Sequence, residues 1–474
     1  MRRTKIVSTL GPATWDRESL ASLLEAGADV VRLNLAHADP PTHIRVAGAA
    51  RSEAARLGKT IGILADLPGP KMRTGPIAAD EVALEPGQRF TLFHRSKEGD
   101  ASGVSTTVPN LAELVAPNDE IFLADGAVIL KVISTDSGDV HTEVVRRGLL
   151  RSRKGMHVPK AEARIESFTR DDQLSLQTAV EAGADLIGLS FIRDARDVAK
   201  ARSGLSSVSS STQPLLVAKI ETRSATENLD QIVALSDAVM VARGDLGIQL
   251  PFKDVPLLQK EIIRTCNRAG VPVITATQML ESMTHGPLPS RAEVNDVANA
   301  VLDGTDALML SEETAVGRFP TETVRTMADI AEAAERRGRS QLAAIQHEEA
   351  EDPVSWAIAR AAVHAAEELQ VATIVCPTRS GATARRVAAF RPSMPILALG
   401  HEDRTVRPLA LVWGVVPKTL PFLPEELAPD ETVPRALEAA RSSGLAQPGH
   451  LVAVVAGGPE PRAGSTDFVR IVSA

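Results

Sequence analysis

Val239-Met240-Val241-Ala242-Arg243-Gly244-Asp245-Leu246-Gly247 reads as a buried strand that stops at a carboxylate flanked by glycines. Upstream, a second apolar strand stops at Lys219-Ile220-Glu221. Two strand tips thereby offer two carboxylates and a lysine. A carboxylate pair holds Mg²⁺ while leaving positions open for substrate oxygens, and a lysine beside it neutralises a transferring phosphoryl group. The same residues also suit a salt bridge at two loop starts, so neither string decides the matter alone.

Working outward, strand-then-helix units repeat. Strand ends are expected at Lys5–Thr9, Val30–Asn34, Gly62–Asp66, Asp185–Ser190, Leu215–Ile220, Asp237–Ala242, Val273–Ala276 and Ala307–Leu310. Helical spacing follows most of them, as in Ser19–Ala26 and Pro256–Ala269, and helix-ending glycines precede new strands at Gly27 and Gly183. Eight such units make an α/β barrel, whose active site lies where the strands end. The third unit is interrupted. Residues 76–159 carry β-branched residues in short alternating runs with turn signals at Glu85-Pro86-Gly87, Ala116-Pro117-Asn118-Asp119 and Ser137-Gly138-Asp139, a small β domain inserted in a barrel loop. The expected division is a catalytic barrel over 1–75 and 160–340, the inserted β-barrel lid over 76–159, and a C-terminal α/β domain over 352–474. In the last, strands are expected near Thr373–Pro377, Ile396–Leu399 and Leu451–Ala456. The stretch from Met327 to Asp352 reads as a solvated helix and Ser203–Thr212 as a surface loop; no internal repeat stands out.

The 474 residues are 44% hydrophobic and 24% charged, ordinary for a soluble chain with a large core. Cys266 and Cys376 lack metal-ligand spacing and read as buried free thiols, which fits a reducing cytoplasm. Ser8, Thr9, Gly11 and Pro12 cut the opening apolar run too short for a signal peptide, and no membrane span is expected. A net charge of −8 argues against general nucleic-acid binding, so a phosphorylated substrate must be met by locally focused cations.

Candidates for that role sit at the strand tips. Arg32 and Asn34 alternate with apolar residues and share a face, fitting a phosphate contact or a rim salt bridge. Lys71 and Arg73 follow the stiff Pro68-Gly69-Pro70 exit, which also suits a hinge, and Arg151-Ser152-Arg153-Lys154 closes the insert as a basic patch. Thr277 and Ser311 put hydroxyls at neighbouring tips, for a carboxylate, for a proton-carrying water, or as helix caps. His37 and His285 show no partner pattern.

From end to end these strings resemble the pyruvate kinase family: Thr4-Lys5-Ile6-Val7, Val31-Arg32-Leu33-Asn34, Gly69 through Gly75, Arg153-Lys154-Gly155, Ser190 through Arg193, Lys219-Ile220-Glu221, the run around Asp245, Ala276 through Met279, Asp296 through Asp303, and Ser311 through Thr314. The resemblance implies transfer of the phosphoryl group of phosphoenolpyruvate to ADP in glycolysis. It implies Mg²⁺, or Mn²⁺ in its place, held by Glu221 and Asp245. Lys219 and Arg32 would hold the transferring phosphoryl group; Gly244, Asp245 and Thr277 would receive the substrate carboxylate. Asn34, His37, Arg73 and Lys154 would surround the nucleotide phosphates, and a water near Thr277 and Ser311 would protonate enolpyruvate. A homotetramer in the cytoplasm is implied, and a phosphorylated effector is expected at Thr378-Arg379-Ser380-Gly381-Ala382-Thr383, a loop that could also serve only as a helix cap.

Departures from the usual pattern concern the monovalent cation. Ala36 and Leu67 offer no side-chain oxygen where serine and threonine are usual, while Asn34 and Asp66 remain, and Lys71 stands where K⁺-requiring relatives carry a glutamate. Lys71 is therefore expected to supply the cation internally, and K⁺ is expected not to be required. Glu312 replaces a glycine, and Ala124 an aspartate before Asp125. Two other classes compete with this reading, a Mg²⁺-dependent lyase on pyruvate-like enolates and a non-catalytic sugar-phosphate-binding regulator. Lys219 and Lys154 under an inserted lid disfavour the first, and the complete constellation disfavours the second.

Overall fold

Eight parallel strands close into a barrel in the computed structural model, which describes residues 1–70, 72–108, 110–124, 126–159, 161, 165–208, 213–338, 352–420, 429–457 and 466–474. The barrel strands are Lys5–Thr9, Val30–Asn34, Gly62–Asp66, Leu186–Leu189, Leu215–Ile220, Ala238–Ala242, Val273–Ala276 and Ala307–Leu310, with the first paired to both the second and the eighth. Their apolar side chains fill two layers. Ile6, Ile63, Leu216 and Leu308 pack outward against the helices, and Val7, Leu64, Met240 and Met309 fill the barrel interior.

A four-part device closes the barrel floor. Asp29, Asp185, Asp237 and Asp306 each precede an even-numbered strand, and each accepts the N–H of the neighbouring odd one: Ile6 at 2.9 Å, Ile63 at 2.7 Å, Leu216 at 2.9 Å and Val273 at 3.0 Å. Each carboxylate also pairs with an arginine, Arg2, Arg51, Arg202 and Arg391 respectively. Strand feet that would leave N–H groups unsatisfied are thus bonded. As a sequence repeat this regularity is faint: Gly-Ala-Asp precedes the strand at Asp29 and Asp185 and Gly-Thr-Asp at Asp306, but at Asp237 only the aspartate recurs.

Strands between Glu81 and His157 form a six-stranded sheet and a two-stranded ribbon with their own apolar core around Phe90, Leu92 and Ile121. Ser137 and Gly138, with φ of 41° and 95°, make the hairpin turn between strands Val128–Asp136 and Asp139–Arg146. C-terminally, a five-stranded sheet runs in the order Val415–Thr419, Ile396–Gly400, Thr373–Pro377, Leu451–Ala456, Phe468–Ser473, only the last antiparallel. It docks on the barrel floor, where Ala410 and Leu411 enter the barrel's interior cluster and the buried Arg391 bonds Asp306, Asn267 and the Gly304 carbonyl.

Ser203–Val208 is helix rather than loop, continuing Ala195–Val208. Val198, Ala201 and Leu205 keep helical spacing against the core, and Ser206 and Ser207 spend their hydroxyls on helix carbonyls. The helix Pro320–Arg337 begins well before Met327; the rest of that expected stretch, 339–351, lies outside the described residues. No helix among the described residues is long and apolar enough to cross a membrane.

Candidate active site

The barrel's register brings the strand tips together. Gly188 pairs with Asp66, and a Cβ there would come within 2.7 Å of Asp66 Oδ1, so this glycine makes room for the buried carboxylate. Asp66 Oδ2 accepts Arg32 Nε at 2.9 Å and Nη2 at 2.5 Å, while its Oδ1 lies 3.3 Å from Lys219 Nζ. One aspartate thereby holds both cations expected to grip the phosphoryl group. The far side of the guanidinium is set by Thr9 Oγ1 at 3.0 Å. Lys219 Nζ also donates to Ser190 Oγ at 2.8 Å and lies 2.7 Å from Glu221 Oε1.

Glu221 is buried, and its Oε2 accepts the N–H of Phe191 at 2.8 Å. Burial pushes its pKa up to about 7; the Lys219 ammonium opposes that and Asp245 adds to it. For Lys219, burial opposes the charge, but Asp66, Glu221 and Asp245 together outweigh it and raise the pKa. Asp245 and Glu221 act on one another as like charges while both also feel the Lys219 ammonium, and a divalent cation between the two carboxylates would add to that single positive charge. Among the described residues no group of three or more His, Cys, Asp or Glu side chains is placed to hold a metal ion. A two-carboxylate site fits Mg²⁺, because that ion keeps several positions for water and substrate oxygens.

Thr277 adopts φ of 67°, a left-handed conformation that is costly for a β-branched residue. Arg243 holds it there, donating Nη2 to the Thr277 carbonyl at 2.6 Å and Nη1 to Asp296 at 2.6 Å. Thr277 Oγ1 in turn accepts the N–H of Gly244 at 2.8 Å. The hydroxyl and this amide therefore face one spot, beside Asp245 and Ser311 in a cavity of about 1090 Å³. Ser311 is fixed by its own N–H, which donates to the buried Glu313 at 2.6 Å.

Two extended segments carry the chain into and out of the inserted domain, and they zip together. Thr74 N donates to Lys154 O at 2.9 Å, Met156 N to Met72 O at 2.9 Å, and Arg153 N to Gly75 O at 3.0 Å. This pairing puts Arg73 and Lys154 side by side. Both line a cavity of about 370 Å³ with His37, Asp245 and Glu312. His37 is placed by its carbonyl, which accepts His43 Nε2 at 2.6 Å, and Asn34 Oδ1 accepts the N–H of Ala36 at 3.2 Å. Lys71 lies outside the described residues. Sequence patterning does not reveal Asp66 and Ser190 as organisers of Lys219, nor Arg243 as the clamp on Thr277. The signal that could have found Asp66 is Gly188 inside an otherwise apolar strand.

The loop Thr378–Thr383 lies apart from this site, at a C-terminal strand end. Thr378 Oγ1 accepts the N–H of Gly381 at 2.9 Å, and the buried Thr383 hydroxyl bonds Thr466 Oγ1 at 2.9 Å. Arg379 gives its carbonyl to Thr405 Oγ1 at 3.1 Å, and Ser380 is exposed.

Residues 1–324 match the family model for the pyruvate kinase barrel domain, and residues 356–472 that for the pyruvate kinase alpha/beta domain. The chain is 40% identical to a pyruvate kinase of Geobacillus stearothermophilus over 99% of its own length and 80% of the relative's. It is 41% identical to that of Thermococcus litoralis over 88% of each chain, and 40% identical to that of Agrobacterium vitis over 100% of this chain and 98% of the relative.

Proposed function

The chain belongs to the pyruvate kinase family, and from that premise we propose how its own side chains perform the family's reaction. It is a glycolytic phosphotransferase that moves the phosphoryl group of phosphoenolpyruvate to ADP, giving pyruvate and ATP. The observation that carries the assignment of roles is Asp66 gripping Arg32 and Lys219 at once, with Asp245 acting on the same lysine and lining the cavity that Arg73 and Lys154 also line.

In this reading Arg32 and Lys219 hold the phosphoryl group during transfer, their charges fixed in advance by Asp66. The Gly244 N–H and the Thr277 hydroxyl exchange their mutual bond for the substrate carboxylate, and Arg243 keeps Thr277 in place meanwhile. Glu221 and Asp245 would hold Mg²⁺, which when bound supplies Lewis-acid stabilisation of phosphoryl and enolate oxygens. His37, Asn34, Arg73 and Lys154 receive the nucleotide phosphates. Breaking the P–O bond to the substrate leaves enolpyruvate, and a water near Thr277 and Ser311 delivers the proton that converts it to the ketone.

K⁺ is not required in this account: Ala36 and Leu67 supply no oxygen, and Lys71 provides the positive charge. A homotetramer is proposed from family membership alone. The enzyme works in the cytoplasm. Binding of a phosphorylated effector at Thr378–Thr383 is supported by the exposed Ser380 ahead of an eight-residue helix, Ala382–Ala389. AMP and sugar phosphates that all fail to shift the phosphoenolpyruvate saturation curve would make this loop a cap alone. The reaction itself is tested by coupling pyruvate formation to lactate dehydrogenase. NADH oxidation should require phosphoenolpyruvate, ADP and Mg²⁺ together; pyruvate formed without ADP would point to a different reaction.

A further inference from the structure

The inserted β domain stands on two chain segments, and both are tied to one buried carboxylate. The outgoing segment leaves the barrel through Leu67-Pro68-Gly69-Pro70, and the N–H of Gly69 donates to Asp172 Oδ1 at 2.8 Å. The returning segment enters helix Arg170–Glu181 at Thr169, whose N–H and hydroxyl donate to Asp172 Oδ2 at 2.8 and 2.7 Å. Asp172 is 1% exposed. A capping box needs only the bonds with Thr169. The bond from Gly69, 103 residues earlier in the chain, lies outside that motif. Gly69 is shaped for it: φ is 64°, and a Cβ there would come within 2.8 Å of Ser190 Cβ and 2.9 Å of the Phe191 ring.

Above this point the two segments are bonded to each other from Met72 to Gly75 and from Arg153 to Met156, so they move as one ribbon. The ribbon carries Arg73 and Lys154. On the outgoing side the ribbon's Met72 follows closely on Gly69, whose N–H is bonded to Asp172.

We propose that Asp172 is a positioning residue for the reaction: by holding Gly69 and Thr169 on its two oxygens, it fixes the pivot from which Arg73 and Lys154 reach the nucleotide phosphates. This rests on the reading of those two cations as phosphate contacts. Asp172→Asn tests it selectively. An amide has one accepting oxygen, which stays with Thr169, where it satisfies two hydrogens; its NH₂ then faces the Gly69 N–H, donor against donor. The outgoing foot is released while the helix cap survives.

Asp172→Asn is expected to raise the KM for ADP several-fold and lower kcat about tenfold, since small misplacements of charged contacts are costly in transfer reactions. Binding of phosphoenolpyruvate and Mn²⁺ without nucleotide, measured by calorimetry, should stay within about twofold, because the groups at the strand tips are untouched. Thr169→Ala is the comparison, removing both bonds of the Thr169 hydroxyl, to Asp172 Oδ2 and from the Asp172 N–H, while keeping the Thr169 N–H on Asp172; it should lower Tm without the ADP effect. An Asp172→Asn enzyme that matches Thr169→Ala in Tm and has wild-type kinetics would reduce Asp172 to a helix cap. Lys154→Met separates the two claims. An unchanged KM for ADP there sinks the nucleotide reading, whereas impaired kinetics there beside normal kinetics in Asp172→Asn sinks the anchor alone. If Asp172→Asn does not fold, hydrogen exchange in the wild-type protein decides. The Gly69 amide should be protected with and without substrates, and fast exchange there would overturn the proposal.

Discussion

Replacing Lys219 by methionine removes the ammonium and keeps most of the side chain's length. In the native site that ammonium lies 2.7 Å from Glu221, 3.3 Å from Asp66 and 2.8 Å from Ser190 Oγ, with only 11% of the side chain exposed. A unit charge acting on a phosphoryl oxygen about 4 Å away contributes on the order of 4 kcal/mol at the effective dielectric of a partly buried site. That corresponds to about a thousandfold in rate. Turnover of Lys219→Met should fall by roughly that factor or more. The metal site should behave oppositely: with a neighbouring cation gone, Glu221 and Asp245 hold a divalent ion at least as well. Arg32 still pairs with Asp66, so the barrel should fold, as circular dichroism can check. The assay is lactate-dehydrogenase-coupled turnover at saturating substrates, with Mn²⁺ titration of the same preparation. Retention of more than about a tenth of wild-type turnover would refute the role given to Lys219.

Gly188→Ala places a methyl group 2.7 Å from Asp66 Oδ1 on the native backbone, closer than the two atoms can sit, so the carboxylate must shift. The variant should lose about tenfold or more in kcat through displaced Arg32 and Lys219, and wild-type kcat would show that Asp66 does not organise them. Because the Glu221 pKa is raised to about 7, the metal-free protein holds a proton there below neutrality. The metal must displace that proton, so apparent Mn²⁺ affinity should weaken by up to about tenfold per pH unit below pH 7 and level off above it. A raised folded-state pKa stabilises the metal-free fold at low pH, and the gain is lost as pH rises through about 7; Glu221→Gln should flatten that slope in Tm. Equal slopes in both proteins would place the titration elsewhere. Activity in K⁺-free tetramethylammonium buffer should be near that with K⁺, whereas strong K⁺ activation would show the cation site has been misread. Lys71→Glu should lower activity, with little rescue by K⁺.

Residues at the ends of parallel barrel strands are legible because an apolar run that stops at a polar residue, once per strand–helix unit, marks a strand tip. Lys219, Glu221, Asp245 and Thr277 all follow that rule and meet at the barrel mouth. What joins them is not legible. Asp66 touching both Arg32 and Lys219 depends on barrel closure and on a glycine in the neighbouring strand. Asp172 looks like an ordinary helix cap until its bond to Gly69 is seen. Val415–Thr419 escapes a sequence reading because Pro417 suits an edge strand and breaks the strand pattern, and Phe468–Ser473 because it too lies at an edge, with mixed polarity. The four floor aspartates share only the aspartate itself before all four strands, and their common role is carried by register.

The most direct test of the account is to follow the phosphorus itself. Phosphoenolpyruvate, ADP and Mg²⁺ are incubated with the enzyme in K⁺-containing buffer, so that ion dependence does not enter, and ³¹P spectra are taken with time. The account predicts that the phosphoenolpyruvate resonance is lost in step with the growth of the ATP γ-phosphate resonance, one for one, and that Lys219→Met abolishes both changes on the same timescale. Inorganic phosphate growing in place of the γ-phosphate, or loss of phosphoenolpyruvate that continues in Lys219→Met, would contradict it.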